Sequence, residues 1–544
     1  MDLLIINPRI MWFSSKSMIA NGPITLGSYL HGKGFGVRVI DDNSAYRKYT
    51  TKDYISYIEE HDFKVIGFSV NTLNAYNSYT LAETLRKRFP EKILIGGGLQ
   101  SFDAPKEMGE QVFDVVFKGE AELAVEKFLN LAKEYSPDIT RTLFEDDGFV
   151  SRLKEIQGLI LNVNGETTHT TDGFCELVQN LDDVPFNNYD LINLDDYIKW
   201  KYDHHMVTNQ LNFQRGCPYA CTFCKSAVIA QKLRNNSGRF MVKEIAHRYQ
   251  KFGLSNFFVT DSNFTISKPR LIEFCQEMIS SGLNKKVNLM VQTSIAIPLN
   301  DDEIELMQQA GVTMFLIGLE RFGDNNRKLI KKAGSGKLAS DIVKKLHAHN
   351  LKSVVNILIN FKFESEETLA EEGDLIAEHI PYVGHLYINY LTPMPGTPIY
   401  EDEIDAKFKR WYLNKEIATH RVSYYDMAYL IEGPLALKMN IFGQSPKMLN
   451  AMRRFKEKYQ WMGNLAVAKS PGFRALLMTD MLVGKLSYYV ARVSPRLEDV
   501  LFGPLKYLRQ TGYKILFNRF LSRSEGSKSQ ENRIAETAES QICG

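Results

Sequence analysis

Short apolar runs alternate with amphipathic segments over residues 1–135. The runs predict strands at residues 3–7, 37–40, 65–70, 92–95 and 115–117. The segments between them follow the helical period, over residues 24–31, 53–60, 79–89 and 122–135. Strands that alternate with helices require crossover connections and favour a parallel sheet covered on both faces. The pattern therefore predicts an α/β fold that begins with a doubly wound parallel sheet.

A second series of strands and helices begins near residue 210. Its apolar runs predict strands at residues 211–215, 256–260, 287–292, 314–318, 354–360 and 385–390. Because helical segments separate these runs, we expect a partial (β/α)6 barrel. The chemistry of such a barrel lies at the carboxyl ends of its strands.

Three further segments complete the organisation of the chain. Residues 136–204 are rich in Asp, Asn and Gly and predict a linker with a small strand pair around residues 158–171. Residues 401–523 predict a helical C-terminal region, and the Ser/Glu/Gln-rich residues 524–544 predict a disordered tail. We thus expect two α/β domains, at 1–135 and 205–400, joined by the linker and followed by a helical domain and tail.

Composition narrows the class of protein. The 544 residues are 24% charged and 44% apolar, as in a soluble globular protein with ample core. The net charge of +2 gives no support for nucleic-acid binding. The N-terminus carries Asp2 and no basic stretch, so it predicts a buried strand and not a signal peptide. Six cysteines do not make a disulfide framework, and we expect a reducing cytoplasm.

Small and polar residues follow several strands of the first series. They are Ser69, Asn71 and Thr72, then Gly96, Gly97 and Gly98, then Gly119 and Glu120. Ligands bind at the carboxyl ends of the strands in open parallel sheets. No G-x-G-x-x-G follows the first strand, so the evidence for a dinucleotide is weak, and an ordinary strand-to-helix turn also explains the three glycines.

Three cysteines lie within eight residues. Cys217, Cys221 and Cys224 have the spacing C-x3-C-x2-C directly after a predicted strand. Thiolates suit zinc or an iron–sulfur cluster. A structural zinc site usually has four protein ligands, and the candidates nearby are His204 and His205 upstream. Three ligands on a cubane cluster would leave one iron open to another molecule. A zinc loop remains the alternative.

This loop resembles the signature of the radical SAM superfamily, in which an aromatic residue precedes the last cysteine; here it is Phe223. The resemblance implies a [4Fe–4S] cluster on the three cysteines. The open iron would bind S-adenosylmethionine, and an electron from a flavodoxin- or ferredoxin-type donor would cleave it to a 5′-deoxyadenosyl radical. Later segments also resemble the family. They imply S-adenosylmethionine contacts at Phe223, Asp261, Ser262, Asn263, Gln292, Ser294, Glu320, Arg321, Asn356 and Pro395. Taken alone, Glu320 and Asn356 could equally be ordinary polar residues at strand ends.

The first domain resembles the flavodoxin-like domain of the cobalamin-binding class of this superfamily. The resemblance implies cobalamin contacts at Asp41, Ser69, Asn71, Thr72, Gly96, Gly97, Gly98, Gly119 and Glu120. Residues 1–135 lack D-x-H-x-x-G, and neither His31 nor His61 fits that pattern. We therefore expect base-off cobalamin without a protein histidine on cobalt. A domain that no longer binds cobalamin is the alternative.

The two cofactors together imply methyl transfer to an unactivated carbon of a lipid or secondary metabolite. The same class also contains ring-forming, rearranging and oxygen-inserting enzymes. From other classes, a cobalamin sensor or carrier with an inert cluster and a zinc-loop RNA-binding protein stay as alternatives. The intact cysteine trio disfavours the first of these, and the net charge disfavours the second. No catalytic residue is assigned.

Residues 469–523 carry ten basic and three acidic residues, interleaved with aromatics. This composition is typical of basic amphipathic helices on an anionic membrane surface. It also fits a helical cap packed on the barrel. We expect a cytoplasmic enzyme. Residues 469–523 then either contact the inner face of the membrane peripherally or pack on the barrel as a cap. Membrane contact would favour a lipid substrate.

Overall fold

We analysed a computed structural model of the chain. It describes residues 1–10, 19–44, 46–163, 165–198, 209–226, 232–418, 440–467, 471–494, 497–498, 500–502 and 504–505. The tail predicted at 524–544 and the candidate zinc ligands His204 and His205 lie outside these residues.

The first sheet has seven strands in the order β2-β1-β3-β4-β5-β6-β7. They are β1 Leu3–Asn7, β2 Val37–Asp41, β3 Val65–Ser69, β4 Ile93–Gly97, β5 Val115–Phe117, β6 Leu159–Val163 and β7 Glu166–His169. Strands β1 to β5 are parallel, and β6 and β7 add to one edge antiparallel. The order 2-1-3-4-5 is that of a flavodoxin-like sheet, so the predicted fold class is confirmed.

Helices cover both faces of this sheet. They are α1 Asn21–Gly32, α2 Thr51–His61, α3 Ala75–Arg88, α4 Gln100–Asp103, α5 Pro105–Gly109, α6 Glu122–Tyr135 and α7 Asp147–Leu153. Alternate strand residues point to opposite faces. Leu3 and Ile5 pack with α1 and α6, whereas Leu4 and Ile6 pack with α2 and α3. The capping box of Thr50 and Asp53 marks where α2 begins.

The segment predicted as a linker contributes to the first sheet. The predicted strand pair is present as β6 and β7, and β5 pairs with β6 from Val115↔Leu161 to Phe117↔Leu159. Gly158 enters β6 with a φ of 83°, and a Cβ there would lie 2.1 Å from the backbone nitrogen of Cys175. Only glycine fits this close approach. The domain boundaries themselves stay a prediction.

The second sheet is parallel and has six strands in the order β15-β14-β13-β12-β11-β8. They are β8 Gln210–Leu211, β11 Asn256–Val259, β12 Asn288–Thr293, β13 Val312–Glu320, β14 Lys352–Ile359 and β15 His385–Tyr390. A separate antiparallel pair is formed by β9 Gln214–Arg215 and β10 Arg234–Asn235. The helices are α8 Gly238–Phe252, α9 Lys268–Ser280, α10 Asp301–Gln309, α11 Asp324–Leu329, α12 Gly336–Ala348 and α13 Glu366–His379. This is the predicted partial barrel.

The barrel strands have two different faces. Alternate residues such as Phe257, Leu289 and Phe315 pack in a core against the surrounding helices. On the inner face, Met290 and Met314 are buried together with Val354, and Phe258, Leu316 and Tyr387 pack on them while remaining partly exposed. The inner face is therefore apolar, with a buried group of side chains and partly exposed side chains packed against it.

The carboxyl ends of the two sheets face each other. One core contains Phe68 and Val70 from the end of β3 together with Phe361 and Leu391, which follow β14 and β15. The segment after the barrel, with α14 Pro398–Glu403 and α15 Lys415–Ala418, joins the same core. Glu107 of the first domain accepts hydrogen bonds at 2.9 Å from Arg410 and from Tyr412. Both predicted cofactor-binding edges thus border one interface.

Two long helices follow, α16 Pro446–Val467 and α17 Pro471–Val493. Gln460 of α16 accepts a 2.8 Å hydrogen bond from the backbone nitrogen of Ile388 and donates to the carbonyl of Leu386. Both partners lie on β15, so α16 covers the open edge of the barrel. Within the described part of the chain, no helix is long and apolar enough to cross a membrane.

Candidate functional site

The cysteine loop (residues 216–226) begins where β9 ends, at the mouth of the barrel. Gly216 has a φ of 87°, and a Cβ there would lie 2.6 Å from the carbonyl oxygen of Lys232. The backbone nitrogen of Thr222 donates to the carbonyl of Ile330 at 3.1 Å, and its carbonyl accepts from the nitrogen of Ile399 at 3.1 Å. Backbone contacts to two distant segments therefore hold the loop in place.

The three cysteines of the loop are free thiols. Burial raises the pKa of Cys217 and of Cys221, while the Lys332 ammonium acts in the opposite direction on both. Cys224 is close enough to influence both thiols. Among the described residues, no three His, Cys, Asp or Glu side chains come close enough to hold a single metal ion. Thiolates suit an iron–sulfur cluster as well as zinc, and the candidate zinc ligands His204 and His205 lie outside the described residues.

Glu320 and Lys332 lie beside these thiols. Glu320 ends β13 with a φ of 65°, next to a register shift in the pairing with β14. Its Oε1 accepts a 3.3 Å hydrogen bond from Lys332, and both side chains are largely buried. A non-glycine residue in the left-handed region is strained, and such strain clusters at functional sites. Sequence analysis missed Lys332, because only the fold carries it from the turn after α11 to the cysteine loop.

Two predicted S-adenosylmethionine contacts have charged partners within the protein. Asp261 is fully buried and accepts 2.6 Å hydrogen bonds from Arg270 and from the backbone nitrogen of Phe213. Arg321 is also fully buried, where it pairs with Glu364. These pairs hold the strand ends in position. Whether either residue also contacts a ligand stays a prediction.

Asn263 and Arg321 are predicted contacts that have buried donors without a partner in the described structure, and Asn263 is uncharged. Its Oδ1 accepts hydrogen bonds from Thr293 at 3.1 Å and from Thr265 at 3.2 Å. Its Nδ2 has no partner in the described structure, although the residue is fully buried. An unpaired buried donor costs about 1–3 kcal/mol, so a ligand acceptor there would be stabilising. Asn263 therefore fits a bound group that has an oxygen acceptor, such as a carboxylate.

The remaining predicted contacts line the barrel mouth. Gln292 and Asn356 lie on the inner face of β12 and β14 and are partly buried. Ser294 is buried just after β12, and the neighbouring Ser262 is partly exposed. Two others lie at the interface with the first domain. Phe223 packs edge-on against Phe361 at 6.1 Å, and the carbonyl of Pro395 accepts a hydrogen bond from Lys225.

Small residues form the carboxyl edge of the first sheet. Ser69 pairs with Gly97 where β3 and β4 end, and Gly98 follows directly. Gly98 has a φ of 93°, and a Cβ there would lie 2.6 Å from the carbonyl oxygen of Val70. Gly119 follows β5 with a φ of 103°. This edge presents backbone to the interface, which fits a large flat ligand that needs close approach.

Other predicted cobalamin contacts are engaged within the protein. Asp41 is buried and accepts hydrogen bonds from Asn7, Asn43 and the backbone nitrogen of Ala20. A Cβ on Gly96 would lie 2.9 Å from the ring of Phe113, so this glycine makes room for packing. Asn71 accepts from the backbone nitrogen of its own turn at Leu73. The ligand roles of these residues stay predictions.

Glu120 joins the two domains. It accepts hydrogen bonds from Arg215, at 2.6 Å, and from Arg234. Arg215 also donates to Glu122 at 2.7 Å. Burial opposes the charge of Arg215, but Glu122 and Glu120 together raise its pKa. We call this cluster the interdomain clamp (Arg215, Arg234, Glu120 and Glu122); it lies directly before the cysteine loop.

Lys225 is a second link between the domains, which the sequence did not reveal. It pairs with the fully buried Asp103 and donates to Thr72 at 3.3 Å. Burial lowers the pKa of Lys225 to about 7. Asp103 follows the glycine-rich end of β4, so the pair connects the neighbour of Cys224 to the predicted cobalamin edge.

Neither histidine of residues 1–135 lies at the carboxyl edge of strands β1 to β5, although His169 ends β7 beside that edge. His31 and His61 lie at the last turns of α1 and α2, which is the opposite edge of the sheet. His61 contacts the carbonyl of Tyr57 in its own helix. The identity of the lower cobalt ligand stays a prediction.

Comparisons with known proteins identify both domains. A profile of the Radical SAM superfamily matches residues 211–376, and a profile of the B12 binding domain matches residues 21–129. The chain is 24% identical over 361 residues to an uncharacterised methyltransferase of Pyrococcus horikoshii, across 65% of this chain and 72% of that protein. It is also 24% identical over 426 residues to an anaerobic magnesium-protoporphyrin IX monomethyl ester cyclase of Cereibacter sphaeroides, across 76% of this chain and 63% of that one.

A solved structure shares the fold. The cobalamin-dependent S-adenosylmethionine radical enzyme OxsB, with aqua-cobalamin bound, superposes with a TM-score of 0.60 at 16% identity. The superposition covers 93% of this chain and 75% of that one. Both α/β domains and their order along the chain are thus shared with a solved protein.

Proposed function

Because the chain belongs to the cobalamin-binding radical SAM enzymes, as its motifs predict, we propose that it is a methyltransferase acting on an unactivated carbon of a lipid or secondary metabolite. Its cofactors are a [4Fe–4S] cluster, S-adenosylmethionine and cobalamin. Together these cofactors supply hydrogen-atom abstraction from carbon and a transferable methyl group. The name of the Pyrococcus relative supports methyl transfer over the other outcomes.

One observation carries the proposal: both cofactor edges border the same interface. Lys225, next to Cys224, contacts Thr72 and Asp103 of the first domain. The interdomain clamp repeats this connection on the other side of the cysteine loop. A substrate carbon at the barrel mouth would therefore be within reach of both cofactors, as methyl transfer after hydrogen abstraction requires.

In this proposal the protein binds and orients the cofactors and excludes water from the reaction. Cys217, Cys221 and Cys224 hold the cluster, and the free amide of Asn263 donates to the S-adenosylmethionine. The small edge that ends in Gly98 receives the cobalamin. The tightly packed core between the domains keeps water from the reacting carbon.

The inner face of the barrel favours an apolar substrate. Met290, Met314 and Val354 are buried there, and the partly exposed Phe258, Leu316 and Tyr387 pack against them. The polar Gln292 and Asn356 lie on the same face, two residues further along β12 and β14 than Met290 and Val354. We also propose that a flavodoxin- or ferredoxin-type protein donates the electron to the cluster. The enzyme itself would be bound peripherally at the cytoplasmic face of the membrane.

A ring-forming reaction is the second candidate, favoured by the likeness to the protoporphyrin ester cyclase. Product stoichiometry separates the two. We would incubate the reconstituted enzyme anaerobically with a reductant, S-adenosylmethionine and a lipid extract of the encoding organism. Methyl transfer predicts equal amounts of 5′-deoxyadenosine and S-adenosylhomocysteine, because two molecules of S-adenosylmethionine are used per methylation. Formation of 5′-deoxyadenosine without S-adenosylhomocysteine would contradict methyl transfer and support cyclisation or rearrangement.

A further inference from the structure

The outer face of α17 is an exposed apolar stripe. Met478, Leu482, Leu486, Tyr489 and Val493 are all exposed, and Val493 retains 84% of its accessible surface. At about 100° per residue, these five positions fall within an arc of about 80° on one side of the helix. The stripe continues in the helical residues described between 497 and 505. Its further members are Leu497, Val500, Leu501 and Leu505.

The opposite side of α17 packs on the segment that follows it. Ser487 is fully buried and donates a 2.7 Å hydrogen bond to Glu498, which is buried as well. Gly484 and Phe502 are also buried. This pair of helical segments therefore buries a hydroxyl–carboxylate contact while it exposes nine large apolar side chains. In a helix pair that is surrounded only by water and its own protein, the apolar side chains are buried and the polar ones are exposed.

Single exposed apolar residues are normal on a soluble protein, but a contiguous patch indicates a partner. Nine of the fifteen large apolar residues that are exposed in the described structure lie between 478 and 505. The other six are scattered over positions 1–329. The stripe therefore requires an occupant of its own.

Charge identifies that occupant. Helix α17 carries three basic residues and one acidic one, and residues 506–523 add five basic residues and no acidic one. Two copies of so positive a segment would repel each other. An anionic lipid surface attracts the basic residues and also accepts the apolar side chains.

We propose that the lipid stripe (Met478, Leu482, Leu486, Tyr489, Val493, Leu497, Val500, Leu501 and Leu505) docks the enzyme on an anionic membrane surface. The helices lie in the plane of the interface, since no described helix could span the bilayer. This inference names the surface by which the enzyme would reach the membrane location proposed above. It rests on that location and not on the proposed reaction. Its test needs no turnover, so it can fail while the methyltransferase assignment stands, or the reverse.

The test is co-sedimentation of the full-length protein with vesicles. Wild-type protein should pellet with vesicles of phosphatidylglycerol and phosphatidylcholine at low salt, and at least about tenfold less with phosphatidylcholine alone or at high salt. Leu482→Gln together with Leu486→Gln should weaken vesicle binding about tenfold or more, because the substitutions replace apolar surface of the stripe by polar groups. Both residues are exposed, so the substitutions leave the folded core intact.

Ile272→Gln together with Ile279→Gln is the matched control, because both residues are exposed on α9, far from the stripe in sequence. This variant should bind as wild type does. Three results would overturn the proposal: wild type that stays in the supernatant at low salt, a stripe variant that binds as the control does, or equal binding to neutral vesicles. A wild-type dimer that dissociates in the stripe variant would instead assign the stripe to a second copy of the chain.

Discussion

Replacing Arg215 by Met should uncouple the two domains. In the interdomain clamp, Arg215 bridges Glu120 and Glu122 at 2.6 and 2.7 Å, and its side chain is only 20% exposed. Glu120 keeps its second partner, Arg234, but Glu122, at 8% side-chain exposure, is left as a buried carboxylate without its cation. Removing one partner of a buried ion pair lowers the free energy of unfolding by about 3–5 kcal/mol. Because Arg215 is partly exposed, we expect a loss of about 3 kcal/mol.

A double-mutant cycle isolates this interaction. Glu122→Gln should lose less than Arg215→Met, and the coupling energy of the pair should be at least about 1 kcal/mol. Urea unfolding followed by tryptophan fluorescence is a suitable measurement, because Trp411 is buried in the core shared by the two domains. The control is Arg239→Met, which removes an ion pair whose arginine is 66% exposed, and it should change stability by less than about 0.5 kcal/mol.

The clamp should also matter for turnover. In the proposed reaction, cleavage of S-adenosylmethionine takes place at the barrel, whereas methyl transfer needs the cofactor edges of both domains next to each other. Arg215→Met should therefore keep 5′-deoxyadenosine formation and lose most S-adenosylhomocysteine formation. A coupling energy near zero, together with unchanged product ratios, would refute the argument that this cluster holds the domains in place.

Further outcomes are expected at both cofactor sites. Alanine at all three cysteines of the cysteine loop should remove the iron but leave cobalamin bound, whereas Cys275→Ala should keep the iron; metal analysis decides this. Electron paramagnetic resonance of the cob(II)alamin form should show no nitrogen splitting from an axial ligand, and such splitting would contradict the base-off assignment. Lys332→Met should lower the reduction potential of the cluster by roughly tens of millivolts, because it removes a cation that stabilises the reduced state; a redox titration that finds no shift would exclude this role. Gly98→Ala should destabilise the first domain by about 2–4 kcal/mol and weaken cobalamin binding, whereas Gly22→Ala, whose Cβ meets no neighbour within 4 Å, should be tolerated.

Local patterns along the chain were sufficient to predict most parallel strands of both sheets. The strand predicted at 211–215 was wrong in part, because it is divided into β8 of the barrel and β9, which pairs with β10. Side chains alternate between the two faces of a strand and repeat along a helix every few residues, so a window of about 10 residues carries the signal. This is why β1 and β12 lie close to their predicted positions. The spacing of Cys217, Cys221 and Cys224 is equally local; it left zinc and an iron–sulfur cluster both open, and the resemblance to the radical SAM signature implied the cluster. The strand pair in residues 158–171 was also visible, but its attachment to β5 was not.

Tertiary structure alone decided which charges stand beside those motifs. Lys332 reaches the cysteine loop from the turn after α11, and Glu107 meets Arg410 across 303 positions of sequence. No periodicity links residues that far apart, because their proximity depends on how whole elements pack. The same holds for α17, whose amphipathic sequence is compatible with either a packed cap or a lipid surface. Only the fold shows that Gly484 and Ser487 are buried while the five α17 members of the lipid stripe face outward.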